Sequence, residues 1–106
     1  MVSDPDRGEV WWGEIAEVGR RPFLVMSRSA AIPVLHSVLA APISRTVRGI
    51  PTELPLGLDD GMPTECAASF DNLRVVLKAN LVERLCVLEF TRMEEACAAL
   101  RLAVDC

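Results

Sequence analysis

Thr91-Arg92-Met93-Glu94-Glu95-Ala96-Cys97-Ala98-Ala99-Leu100-Arg101-Leu102-Ala103-Val104 is the stretch that settles the class of fold. Met93, Ala96, Cys97, Leu100 and Val104 recur at helical spacing and mark one apolar face. Thr91 and Glu94 stand in capping-box positions: the hydroxyl takes the third helical N–H and the carboxylate reaches back. The stripe predicts a helix laid against whatever precedes it.

Upstream, the period is that of strands. Arg7 to Ile15 alternates, with Val10, Trp12 and Glu14 on one face and Trp11 and Ile15 on the other. Gly19-Arg20-Arg21-Pro22 reads as a turn, and Phe23 to Met26 as a short buried strand. Ser27 to Pro33 reads as a connector and Val34 to Ile43 as a third strand, with Pro42 marking an edge or bulge. Arg48-Gly49-Ile50-Pro51 is a turn before a fourth strand at Thr52 to Leu56. The loop Gly57-Leu58-Asp59-Asp60-Gly61-Met62-Pro63 is dense in turn formers and lacks the G-K-[ST] ending of a phosphate-binding loop. Glu65 to Phe70 is a fifth strand and Asn80 to Leu88 the last. Five or six short strands closed by one helix predict a mainly β chain with a C-terminal α-helix, a small open SH3-like barrel.

The 106 residues suffice for one domain, 1–106, and its apolar half and charged quarter lie in the globular range. Met1 to Asp6 lacks the basic start and apolar run of a signal peptide, and no stretch is apolar enough to span a membrane. A cytoplasmic protein with no membrane partner is therefore expected. Cys66, Cys86, Cys97 and Cys106 are expected to be free thiols, mostly buried as small hydrophobes. No C-x-x-C pair exists and His36 is the lone histidine, so no metal site and no cofactor is expected.

Charge is unevenly spread. Between Val18 and Thr52 lie Arg20, Arg21, Arg28, Arg45 and Arg48 and no acidic residue. The rest of the chain carries all 15 acids against six basic residues, giving a formal net charge of −4. Guanidinium groups suit phosphate oxygens and stack on bases. An arginine segment in an acidic protein gathers a polyanion onto one face and repels it elsewhere.

Four segments carry a family resemblance. Arg7-Gly8-Glu9-Val10-Trp11-Trp12 is similar to R-G-[DE]-[IV]-[WY], and Arg21-Pro22-Phe23-Leu24-Val25-Met26-Ser27 to R-P-x-[LV]-[IV]-x-[ST]. Ala41-Pro42-Ile43-Ser44 is similar to [AV]-P-[IL]-[ST], and Asp71-Asn72-Leu73-Arg74 to [DE]-[QN]-[LIV]-R. In this order and spacing they resemble the MazF/PemK toxin family along nearly the whole chain.

The resemblance implies an SH3-like barrel that forms a homodimer and cleaves single-stranded RNA sequence-selectively without metal. The ribose 2′-hydroxyl would attack the adjacent phosphorus, leaving 2′,3′-cyclic phosphate and 5′-OH ends. It also implies a cognate MazE-like antitoxin whose disordered acidic tail blocks the RNA groove. Arg21 matches the catalytic arginine, Ser44 the catalytic Thr or Ser, and Asp71 a carboxylate that serves as general base in some members. Arg20, Arg28, Arg45, Arg48 and Arg74 are the expected RNA contacts. Of the adjacent tryptophans, Trp12 is taken as the one that stacks on a base. Ser69 stands where some members carry an arginine acting as general acid, and Arg74, Arg45 or His36 are candidates for that role. Two rivals are a noncatalytic barrel binding RNA or protein, and a CcdB-like gyrase poison. The second would need a Trp-Gly-Ile-like end where this chain has Val104-Asp105-Cys106.

Overall fold

The computed structural model describes residues 4–105. Seven strands run β1 (Glu9–Ile15), β2 (Gly19–Val25), β3 (Ser37–Ser44), β4 (Glu53–Leu56), β5 (Cys66–Ser69), β6 (Arg74–Leu77) and β7 (Leu81–Val87), followed by helix α1 (Phe90–Val104). All pairings are antiparallel, in the order β4-β5-β3-β2-β1-β7, with β6 added to β3. The expected mainly β architecture with one C-terminal helix is what forms.

β3 is the strand on which the sheet turns. Its first half pairs with β6 through Ser37–Ala40 and its end with β5 through Ile43 and Ser44. Pro42, which has no N–H to donate, pairs with Phe23 of β2 and falls between those two ladders. The proline therefore marks a handover between partners on an interior strand, not the expected edge.

Both faces of the central strands are covered, which explains the unbroken apolar run of β2. Leu24 joins Val10, Ile43, Leu54, Leu56 and Phe70 in a cluster beneath the helix, while Phe23 and Val25 join Trp11, Val38 and Val76 on the opposite face. Gly13 permits the close contact of β1 with this second cluster, because a Cβ there would lie 2.8 Å from the Phe23 ring. Arg7 clamps the start of β1 by donating to the Met26 carbonyl and to Cys97 Sγ on the helix.

Four expectations about the elements are corrected, and the expected loop at 57–63 forms. Gly19-Arg20-Arg21-Pro22 belongs to β2; the chain reverses at Ala16-Glu17-Val18, with Gly19 at φ +89° closing a three-residue loop. Strand three starts at Ser37, because Ile32–Val34 makes a 3-10 turn and leaves Val34 exposed. β6 was not anticipated; only Val76 of its four residues is buried, so it shows no apolar alternation. The 57–63 loop holds a 3-10 turn at Leu58–Asp60. The helix begins at Phe90 with Glu89 as its cap and no side-chain capping bond, so Thr91 is already inside it.

The buried stripe of α1 consists of Ala96 and Ala99, flanked by the half-buried Met93, Cys97, Leu100 and Ala103; Val104 is exposed. Small residues at 96 and 99 let the helix lie close to β4. Arg92 fixes it there, donating from Nε to Asp60 Oδ1 at 2.9 Å and from its terminal nitrogens to Glu95 and the Pro55 carbonyl. Burial alone would pull this guanidinium's pKa down, but its bonds to Asp60 and Glu95 prevail and hold it above the usual value. Cys66, Cys86 and Cys97 are free thiols, Cys66 buried and the others half-buried; Cys106 lies outside the described residues.

Candidate functional site

Two clefts meet where the start of β2 lies beside the end of β3. The larger, about 480 Å³, is lined by Trp12, Arg20, Arg21, Ser44 and Arg45, with Met62, Pro63 and Thr64 opposite. The smaller, about 220 Å³, is lined by Arg21, Ser44, Arg48, Glu53, Ser69 and Asn72. Val18, Arg21, Ile43 and Ser44 line both and form the wall between them.

Strand register explains that wall. Phe23 pairs with Pro42, Leu24 with Ala41 and Val25 with Ala40. Continuing this register two residues brings Arg21 opposite Ser44. Arg21 is itself held in the hairpin opposite Gly13. The Ser44 hydroxyl accepts the Thr46 N–H at 3.1 Å, which leaves its own proton available to a ligand.

The arginines differ in how they are compensated. Arg20 is paired to Glu83 at 2.9 Å and Glu14 at 3.5 Å and lies 5.0 Å from the centre of the Trp12 ring. Arg21, Arg45 and Arg48 make no ion pair or side-chain hydrogen bond among the described residues. No acid lines the larger cleft and only Glu53 lines the smaller, whereas Asp59, Asp60, Glu65 and Glu89 line clefts around Arg92. Three guanidiniums without ion pairs, lining adjoining clefts, concentrate positive charge of the kind that suits a polyanion.

The structure thus gathers Arg20, Arg21, Ser44, Arg45, Arg48 and Trp12. Trp11 is the core tryptophan, its indole N–H donated to Glu9 Oε1, and Trp12 is the half-exposed one. Three other candidates line neither cleft. Arg28 is exposed in the connector after β2, and Arg74 lies on β6 opposite Ala40. Asp71 accepts a hydrogen bond from the Thr52 hydroxyl beside Asn72. Of the residues considered for the acid role, Arg45 lines the larger cleft, while His36 is exposed at the start of β3.

Sequence reasoning missed Glu53. Its side chain is buried, and Oε1 accepts the Arg48 N–H at 2.9 Å. A glutamate on an alternating strand gave no sign of pointing inward. Among the described residues no group of three or more His, Cys, Asp and Glu could hold a metal, and no helix is long and apolar enough to cross a membrane.

Residues 6–104 match the family described as PemK-like, MazF-like toxin of type II toxin–antitoxin system. The chain is 48% identical over 107 residues to a Mycobacterium tuberculosis protein named "Probable endoribonuclease MazF5", spanning 100% of this chain and 98% of that one. It is 32% identical over 101 residues to "Probable endoribonuclease MazF2" of the same species, covering 94% and 98%. Among solved structures, an endoribonuclease in complex with its cognate antitoxin from a mycobacterial species superposes with TM-score 0.86 at 28% identity, covering 95% of each chain. The toxin MazF-mt6 of Mycobacterium tuberculosis superposes with TM-score 0.84 at 27% identity, covering 92% of this chain and 96% of that one.

Proposed function

The chain belongs to the PemK-like, MazF-like toxins of type II toxin–antitoxin systems, and from that premise we propose that it cleaves single-stranded RNA sequence-selectively at the wall shared by its two clefts. It is the endoribonuclease toxin of such a system, and its fold is the barrel of its structural neighbours. The observation that carries the placement is that Arg21, with no ion pair among the described residues, and Ser44 both line the two clefts.

In this reading the scissile phosphate lies between Arg21 and Ser44. Attack by the adjacent ribose 2′-hydroxyl places extra negative charge on the phosphoryl oxygens. A fixed guanidinium stabilises that charge more in the transition state than in the ground state, and Ser44 donates its proton to orient one oxygen. The charge is met by protein donors without a metal. A proton must leave the 2′-oxygen and another must reach the departing 5′-oxygen, giving 2′,3′-cyclic phosphate and 5′-OH ends. Asp71, next to the cleft-lining Asn72, is the candidate base. Arg45 and Arg48 hold the flanking phosphates, while Arg20, paired to Glu14 and Glu83, sits over Trp12, which offers its ring to a base.

A cognate antitoxin, as in the mycobacterial complex, binds this toxin; an acidic disordered tail would meet the same free arginines. Val75 and Leu77 on the outer face of β6 stay exposed and suit a homodimer contact. A protein that acts on RNA would work in the cytoplasm, where that substrate is found.

The test is incubation of purified protein with a long RNA in EDTA, followed by mapping of the ends. Discrete cuts with 5′-OH ends are expected, and Arg21→Ala should slow them by about 100- to 1,000-fold while leaving folding intact. Wild-type cutting by that variant would remove Arg21 from the mechanism.

A further inference from the structure

The smaller cleft contains a carboxylate that the cleavage reading does not use. Glu53 is 8% exposed and takes part in no ion pair among the described residues. Oε1 accepts the Arg48 N–H, and Oε2 has no hydrogen-bond partner among the described residues. Since no fully buried polar side-chain atom among the described residues lacks a partner, Oε2 keeps some access to solvent, and Glu53 lines the cleft. A largely buried carboxylate with one oxygen open to the cleft is a strong, fixed acceptor for any ligand that brings donors there.

The surroundings define that ligand. Glu53 pairs with Ser69 across β4 and β5, and Ser69 Oγ accepts one Asn72 amide N–H at 2.9 Å. The second N–H of that amide has no partner among the described residues. A carboxylate acceptor and an amide donor thus stand side by side, walled by the apolar Val18, Pro42, Ile43 and Ala67. The site is small, about 220 Å³, and Arg21 and Ser44 also line it.

We propose that this cleft is a nucleobase subsite reading the base next to the scissile phosphate, and that it selects guanine. The inference rests on the cleavage reading for its position, but its chemistry is local. Guanine presents two adjacent donors, N1–H and the 2-amino group, to the carboxylate and one acceptor, O6, to the amide. Adenine and cytosine each place a lone pair beside their single amino group, and uracil flanks one N–H with two carbonyls. Each of these sets a ligand lone pair against Oε2 or leaves it unmatched.

The test is titration of isotope-labelled protein with guanosine, adenosine, cytidine and uridine 3′-monophosphates, followed by amide shifts. Guanosine 3′-monophosphate is expected to bind about 10- to 100-fold more tightly than the others, with shifts at Arg48, Ala67 and Asn72. Glu53→Gln retains the acceptor for the Arg48 N–H but turns a donor toward the cleft, and should abolish the preference. Asn72→Ala, at an exposed position, should weaken it threefold or more. Equal binding of the four nucleotides, preference for another base, or a guanine preference untouched by both substitutions would overturn the assignment. Cleavage of a random RNA pool distinguishes the two readings. Guanine binding without any cuts would sink the ribonuclease mechanism alone, whereas cuts with no guanine beside them would sink the subsite alone.

Discussion

Replacing Arg20, Arg21, Arg45 and Arg48 singly by alanine separates compensated from uncompensated charge, and the salt dependence of RNA binding reads the difference. Among the described residues the guanidiniums of Arg21, Arg45 and Arg48 make no ion pair, while that of Arg20 is paired to Glu14 and Glu83. Each free guanidinium that meets a phosphate releases about 0.7 of a counterion from a single strand, so three give a slope of log K against log salt near −2 per protomer. Between 50 and 200 mM salt, that slope means roughly a 20-fold loss of affinity. Losing any one of the three should flatten it to about −1.4, or roughly a sevenfold loss over the same range. Arg20→Ala should leave the slope nearly unchanged. The assay is fluorescence anisotropy of a labelled RNA carrying 2′-O-methyl groups, which removes the attacking hydroxyl and so measures binding alone. A wild-type slope near zero, or an Arg20 variant as flat as the Arg21 variant, would refute the division of the arginines.

Two further expectations concern stability. Arg92→Met leaves Asp60 largely buried with only the Gly57 N–H, and should cost about 2–3 kcal/mol in denaturant unfolding, whereas Glu95→Gln, at the exposed end of the same network, should cost under about 0.5; equal losses would show that the Asp60 contact does not anchor the helix. Burial first, and then the nearby Asp60 charge, pushes the Cys66 and Cys86 thiols above their ordinary 9.0. The folded chain therefore holds these protons more tightly than the unfolded one. Their contribution to stability is intact below about pH 9 and is lost as pH rises toward the folded values. Melting at pH 8 to 10.5 should show that decline, reduced in Cys86→Ala; an unchanged decline in the variant would discharge that thiol.

The parts of the fold legible in sequence were those whose burial is one-sided or continuous. β1 alternates because Val10 and Trp11 enter different clusters, and β2 is unbroken because both its faces are covered. The errors came where local chemistry competes with tertiary pairing. Gly-Arg-Arg-Pro has turn composition, yet the hairpin needs only one left-handed residue, Gly19, after three residues that carry no turn signal. Thr91 has the chemistry of a cap, but the cap is Glu89, two residues earlier, and the helix starts at Phe90, whose ring is left in solvent. β6 exists because β3 offers it an edge, and nothing in Arg74-Val75-Val76-Leu77 alone records that edge.

The site divides along the same line. Arg21 and Ser44 were legible because each sits in a family motif; their meeting follows from a ladder in which paired residue numbers shift in opposite directions by equal steps. Arg28 and Arg74 have the same residue type and formal charge, and their strands carry them elsewhere. Glu53 shows why charge counting could not find the rest. In sequence it is one acid among 15 in an acidic chain, and it directly follows the acid-free segment that ends at Thr52. Its environment arises from pairing with Ser69 across an intervening loop and from the Arg48 turn folding back onto it. A carboxylate placed among free guanidiniums weakens RNA binding through its own charge, a cost that a purely electrostatic groove would avoid. Retaining it there is intelligible if the groove must discriminate among bases as well as hold phosphates, because discrimination needs a group that the wrong base cannot satisfy.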